Sequence, residues 1–311
     1  MRALVTGGAG FIGSNLVDAL VERGDDVVVL DDLSSGREEN LAGAIERGAR
    51  LIEADVAEPG AVAAAFGAGE PELVFHLAAQ IDVRRSVADP GFDLGVNVGG
   101  TVNLLEAARA APTSRFVFAS TGGAIYGEGA GRDLPLDESA ECRPDAPYGQ
   151  SKLAAEGYLS LWERLHGLST VALRLGNVYG PRQDPHGEAG VVALFTGAML
   201  EGRAPRVFGD GEQTRDYIYV GDVVSAFLAA AAGEVTGALN IGTGRETPVL
   251  ELGREIARLC ERPFEPRMEP PRLGEVQRIA IDSSAAADAL GWTPAFDLPQ
   301  GLSSTVESFR S

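Results

Sequence analysis

Short, nearly continuous apolar runs recur through the first half of the chain, at residues 3–5, 27–30, 50–52, 73–77, 115–119 and 170–173. Runs without polar alternation suit strands covered on both faces. Between them apolar positions repeat at helical spacing, as in residues 12–23, 62–66 and 98–110. The β-α repetition predicts an α/β fold built on a doubly wound parallel sheet. Beyond residue 176 the pattern breaks into loops rich in Gly and Pro, with helical spacing near 191–201, 223–232 and 250–260, and with Pro263, Pro266, Pro270 and Pro271 marking an irregular stretch. Residues 1–176 are therefore expected to form the main domain, a later segment at about 216–243 to return to it, and residues 177–311 to form mainly a smaller C-terminal α+β lobe.

With 311 residues, 45% hydrophobic and 23% charged, the chain can bury a sizeable core and has no disordered character. A formal net charge of −19 argues against nucleic acid or an anionic membrane surface as partner. Small anions are not excluded, because a few arginines can hold a diphosphate at short range. The apolar stretches are of strand length or interrupted, and Met1-Arg2-Ala3-Leu4-Val5 runs into a strand and not a signal peptide, so a soluble cytoplasmic protein is expected. Cys142 and Cys260 lie far apart, and His76, His166 and His186 form no cluster with them, so neither a disulfide framework nor a metal site is expected.

Candidate chemistry begins at Thr6-Gly7-Gly8-Ala9-Gly10-Phe11-Ile12-Gly13, which follows the first strand and opens the first helix. In that context Gly7, Gly10 and Gly13 permit a tight turn, close approach of backbone to a pyrophosphate, and close packing of helix on strand. Asp31 ends the second strand, where an acid bonds the adenosine ribose hydroxyls and repels a 2′-phosphate; the cofactor predicted is NAD and not NADP. Asp55 and Val56, after the third strand, are placed to meet the adenine.

Lys152 is the only lysine in the chain, and it stands four residues after Tyr148. On a helix these two share a face, so a compact ammonium group can act where a phenol acts and favour its phenolate. The fifth strand ends in Ser120-Thr121, which brings two hydroxyls to the carboxyl edge of the sheet, where ligands bind in doubly wound folds.

Together these segments, with His76-Leu77-Ala78-Ala79-Gln80, Asn97-Val98-Gly99-Gly100-Thr101, Arg174-Leu175-Gly176-Asn177-Val178-Tyr179-Gly180-Pro181-Arg182 and Leu290-Gly291-Trp292, resemble the extended short-chain dehydrogenase/reductase family, and within it the nucleotide-sugar 4-epimerases of the UDP-glucose 4-epimerase type. The resemblance spans almost the whole chain and implies a Rossmann-type domain with a C-terminal substrate lobe. It implies tightly bound NAD held by Gly7, Gly10, Phe11, Ile12, Gly13, Asp31, Asp55, Val56, Leu77, Ala78, Ala79, Gln80, Asn97, Tyr148 and Lys152. Tyr148 would take the proton of the sugar 4-hydroxyl while the C4 hydride moves to NAD, and the 4-keto sugar would turn over and take the hydride back on its other face. Thr121 would hold the C4 oxygen, with Ser120 the alternative, and Lys152 would bond the nicotinamide ribose. The resemblance assigns Asn177, Arg215 and Arg272 to the diphosphate, Glu275 to the uridine ribose, and Val191, Phe208 and Tyr217 to the nucleotide pocket. It implies a homodimer through residues 98–110 and 148–166 as well.

The expected pair is UDP-galactose and UDP-glucose, with UDP-glucuronate or the UDP-N-acetylhexosamines as alternatives and Arg278 or Ile279 near the deciding position. A 4,6-dehydratase would need an Asp-Glu pair after the hydroxyl residue, where Gly122 and Gly123 stand here. A non-catalytic NAD-binding sensor or scaffold is the reading from another class.

Overall fold

The computed structural model describes residues 1–185, 190–272 and 276–310. Its strands are β1 (Arg2–Thr6), β2 (Asp26–Asp31), β3 (Arg50–Glu53), β4 (Leu73–His76), β5 (Arg115–Thr121), β6 (Ser169–Leu175), β7 (Asn177–Tyr179), β8 (Arg206–Phe208), β9 (Thr214–Arg215), β10 (Tyr217–Tyr219), β11 (Gly237–Ile241), β12 (Thr247–Pro248) and β13 (Arg267–Glu269). Its helices are α1 (Phe11–Arg23), α2 (Ala42–Glu46), α3 (Pro59–Gly69), α4 (Val83–Ala88), α5 (Pro90–Leu94), α6 (Gly100–Ala110), α7 (Gly122–Ile125), α8 (Pro147–His166), α9 (Val191–Leu200), α10 (Val220–Ala232), α11 (Val249–Leu259), α12 (Ser284–Leu290) and α13 (Leu298–Arg310).

The central sheet has seven parallel strands in the order β11-β6-β5-β4-β1-β2-β3. Successive side chains on a strand point to opposite faces, so the apolar runs feed two cores at once. Leu4, Val28, Val74 and Phe116 pack with Phe66 of α3, Leu104 of α6 and Leu159 of α8. Their neighbours Val5, Val29, Phe75 and Val117 pack on the other face with Leu16 of α1 and Phe227 of α10. Each such side chain contributes about 1.5–3 kcal/mol when fully buried, which is why the runs had to be unbroken. A third core joins α9, α11 and α13 through Phe195, Ile256 and Leu302 in the C-terminal lobe.

The chain passes between sheet and lobe several times, and Asp216 clasps the crossings. Its buried carboxylate, between β9 and β10, accepts from the Thr243 amide (2.8 Å) and hydroxyl (2.6 Å), from the Gly244 amide (3.0 Å) and from the Ile281 amide (3.2 Å). The Asp216 carbonyl accepts from the Asn177 amide at 2.7 Å, just beyond the end of β6.

The helix expected from residue 98 differs at its start. Gly95–Gly99 form a π-turn, and α6 proper begins at Gly100, whose added Cβ would stand 2.7 Å from Val56 Cγ2. Such a widened turn turns a side chain inward at a functional site, and here that side chain is Asn97.

Candidate active site

The chain runs β1, β2, β3 to one side of β1 and then crosses to β4 on the other, so the carboxyl edge between β1 and β4 is the switch point where a crevice opens. A cleft of about 920 Å³ lies there. The glycine turn forms its floor. Gly7 has φ +68°, and a Cβ on it would stand 2.6 Å from the Ala78 amide; one on Gly13 would run into the Gly7 carbonyl. Gly10 caps α1 without a side-chain bond, and the first turn of α1 carries no acid, so its amides face the cleft unopposed. Asp31 accepts from the Ala9 and Leu33 amides, both at 2.9 Å. Burial pushes its carboxyl up, and these two bonds act the other way. Remaining lone pairs on both oxygens can meet two ribose hydroxyls. The cradle and the acid fit a dinucleotide with a free adenosine 2′-hydroxyl.

Phe11, Ile12, Asp55, Val56 and the stretch Leu77, Ala78, Ala79 and Gln80 line the same cleft. Asn97 does not. It lies 1% exposed beneath the wall, accepting from the Gln80 amide (2.9 Å) and donating to the Gln80 carbonyl (3.0 Å), so it positions Gln80.

Tyr148 and Lys152 lie on the first turns of α8 and both line the cleft. Burial, followed by the charge of Asp93, pushes the Tyr148 phenol up to about 12, with the Thr121 side chain acting the other way. Lys152 departs from the simple expectation of a cation acting directly on the phenol. Its Nζ donates to the Ala119 carbonyl at 2.9 Å and sits 4.6 Å over the Phe118 ring, and burial brings it down to about 8 against the charges of Asp93 and Glu156. Of the two candidate hydroxyls, Thr121 is the one at the phenol. Ser120, the next residue back on β5, points to the opposite face and donates to Glu156 Oε1 at 2.5 Å. Glu156 is also paired with Arg174 at 2.7 Å, both side chains being buried.

On the substrate side Asn177 presents a buried Oδ1 with no partner among the described residues, and an added Cβ on Gly123 would lie 3.4 Å from it. Phe208 carries the Arg272 guanidinium 3.8 Å above its ring, beside a smaller cleft of about 320 Å³ that Gln213 and Gln277 also line. Arg215 donates to the Thr214 carbonyl at 2.8 Å. Tyr217 is packed in the lobe core with Tyr179 and Val207, and the half-buried Val191 packs against the same core; neither lines the two clefts. Glu275 lies outside the described residues. Near the position expected to face the sugar, Arg278 forms a two-toothed pair with Glu246 (2.9 and 2.5 Å), and Ile279 is buried with Tyr126 and Leu136.

Three residues at the centre escaped the sequence reading. His76 is buried between Thr6 Oγ1 (2.7 Å) and Thr101 Oγ1 (2.9 Å), and burial, with Lys152 nearby, holds its imidazole well below its usual range. Glu156 continues the Tyr148–Lys152 face by one more turn, a spacing signal that was available. Asp93, four residues before Asn97, carried no comparable signal.

Comparison with known proteins gives a consistent outcome. The UDP-glucose 4-epimerase of Mycolicibacterium smegmatis is 48% identical over 313 residues, covering 100% of this chain and 99% of that one. The crystal structure of UDP-glucose 4-epimerase from Thermotoga maritima with UDP-glucose superposes with a TM-score of 0.96 at 46% identity, over 100% of this chain and 99% of that one. The UDP-glucose 4-epimerase of Thermus thermophilus in complex with NAD gives 0.92 at 42% identity, with 100% and 99% covered. A family model described as the NAD dependent epimerase/dehydratase family matches residues 3–242, which takes in both the glycine cradle and the Tyr148–Lys152 turn. The chain therefore belongs to the NAD-dependent epimerase/dehydratase family.

Proposed function

We propose that this chain is a UDP-hexose 4-epimerase that interconverts UDP-galactose and UDP-glucose through a transient 4-keto sugar. The observation that carries the reading is the placing of Tyr148 and Lys152 together at a cleft floored by a dinucleotide cradle, with glycines where a dehydratase needs acids. NAD, when bound, supplies the oxidant and then the reductant for C4 of the sugar. Tyr148 takes the proton of the 4-hydroxyl and returns it to the same oxygen after the sugar has turned over. Thr121 hydrogen-bonds that oxygen in both orientations. Lys152, whose ammonium donates to the Ala119 carbonyl, would also hold the nicotinamide ribose and supply positive charge at the base of the site. The unpartnered Asn177 Oδ1 and the Phe208–Arg272 stack support a nucleotide diphosphate reaching into the lobe.

The same reading disfavours the relatives' other chemistry. A side chain at Gly122 would have to displace Ile281 Cδ1, which an added Cβ would meet at 2.6 Å, so the acid of a 4,6-dehydratase is missing from a site packed for glycine. The Arg278–Glu246 pair leaves no argument from Arg278 for a uronate. Incubation with UDP-galactose and NAD, without any other electron source, tests the reading through the anomeric proton signal. Appearance of UDP-glucose is expected; a spectrum unchanged by the wild-type protein overturns it.

Pairing with a second copy belongs to the proposal. On α8, Tyr158 and Leu165 are exposed, and Val83, Val87 and Leu94 continue an apolar surface along α4 and α5. No helix among the described residues is long and apolar enough to cross a membrane.

A further inference from the structure

Asp93, on α5, is 1% exposed, and a single oxygen, Oδ1, accepts from both Gln80 Nε2 (3.0 Å) and Asn97 Nδ2 (3.1 Å). A carboxylate is expensive to bury, and an amide oxygen would satisfy those two neutral donors equally well. The negative charge therefore calls for a reason beyond local hydrogen bonding. The reason lies in what the network touches. Asn97 Nδ2 also reaches Ser151 Oγ at 3.1 Å, and the Ser151 hydroxyl donates to the Tyr148 carbonyl at 2.9 Å. From the other side the Tyr148 amide donates to Ser86 Oγ (3.2 Å), which donates to the Val83 carbonyl of α4 (2.7 Å). The turn that carries the phenol hangs between α4 and the Asp93–Asn97 pair. Gln80, the other donor to Asp93, is locked by its bonds with Asp82 and forms the cleft wall.

The charged groups around this point are few. Lys152 and Glu156 face it from α8, Glu156 being neutralised by Arg174 of β6. His76 of β4 is held uncharged, and Arg85 of α4 lies 3.9 Å over the Phe92 ring. Asp93 acts on both members of the reaction centre, opposing the phenolate and favouring the ammonium form of Lys152.

We propose that Asp93 is a positioning residue of the reaction centre: through Asn97 and Ser151 it fixes the turn bearing Tyr148, and it sets a buried negative charge beside the phenol and the Lys152 ammonium. The proposal rests on the epimerase reading for its kinetic test but not for its spectroscopic one.

Because both donors share one oxygen, Asp93→Asn can keep both hydrogen bonds while removing the charge, and Asp93→Ala removes both. Proteins labelled with ¹³C at tyrosine Cζ would be titrated as purified, with the Tyr148 resonance identified by its loss in Tyr148→Phe. The midpoint in Asp93→Asn is expected to fall by about one pH unit, since removing a negative charge favours the phenolate. The acid limb of kcat should move to lower pH with it. In Asp93→Ala, kcat for UDP-galactose is expected to drop by about tenfold or more with KM changed less than about twofold. An unmoved Tyr148 midpoint in Asp93→Asn overturns the proposal even if Asp93→Ala fails to fold. A wild-type protein inert toward UDP-galactose would defeat the epimerase reading and leave the titration to judge Asp93.

Discussion

A phenol that burial holds near 12 is a poor base at neutral pH, and half-ionising it at pH 7 requires about 7 kcal/mol of stabilisation. Lys152 is turned to the Ala119 carbonyl, so the remainder must come with the cofactor, as the fixed positive charge of its oxidised ring. The Tyr148 midpoint is thus expected to be lower with the oxidised than with the reduced cofactor bound, measured by difference absorbance. With Lys152 brought down to about 8 by burial, its ammonium is lost as pH rises through that value, and the pH profile of kcat should show a falling basic limb near there. Tyr148→Phe should lower kcat by about 10²–10⁴-fold while NAD stays bound. The Tyr148–Lys152 pair was legible because helical spacing alone puts i and i+4 together. The choice between Ser120 and Thr121 was not, because it depends on which face of β5 meets Tyr148. The partners of Asn97 were not legible for a similar reason: the π-turn, invisible in apolar periodicity, directs its amide under Gln80.

Elements whose borders are set by apolar periodicity, such as α8 and α11, could be read within a few residues from the chain alone. The short α4 and α5 could not, since they exist through caps: Asp82 accepts from the Arg84 and Arg85 amides, and Asp89 from the Phe92 amide. Likewise α7 is one turn capped by Thr121 Oγ1, which places the candidate catalytic hydroxyl at a strand-to-helix junction. The glycine turn is the element with the sharpest consequence. Gly13→Ala should expel the cofactor, because its methyl must displace the Gly7 carbonyl; the purified variant is expected to release little or no NAD on denaturation, where the parent releases about one per chain.

At the scale of the molecule, the doubly wound parallel sheet followed from the β-α repetition, whereas its strand order and the strand pairing of the C-terminal part did not, since the short strands there pair across long stretches of chain. If Tyr158, Leu165 and the exposed apolar side chains of α4 and α5 meet a second copy, Leu165→Glu should convert a dimer mass to a monomer mass in light scattering with NAD retained. Asp216 bears on the same scale. Amides from two separate crossings hydrogen-bond to one carboxylate, and its own carbonyl holds the start of β7, so Asp216 ties β7, the end of β11 and the segment at Ile281 to one point. In the proposed epimerase, the ketone would turn over between walls that meet at this junction. Loosening that tie, as in Asp216→Ala, should turn a faithful shuttle into a slow one-way sugar oxidant that strands its cofactor in the reduced form, seen as absorbance at about 340 nm that accumulates with turnover.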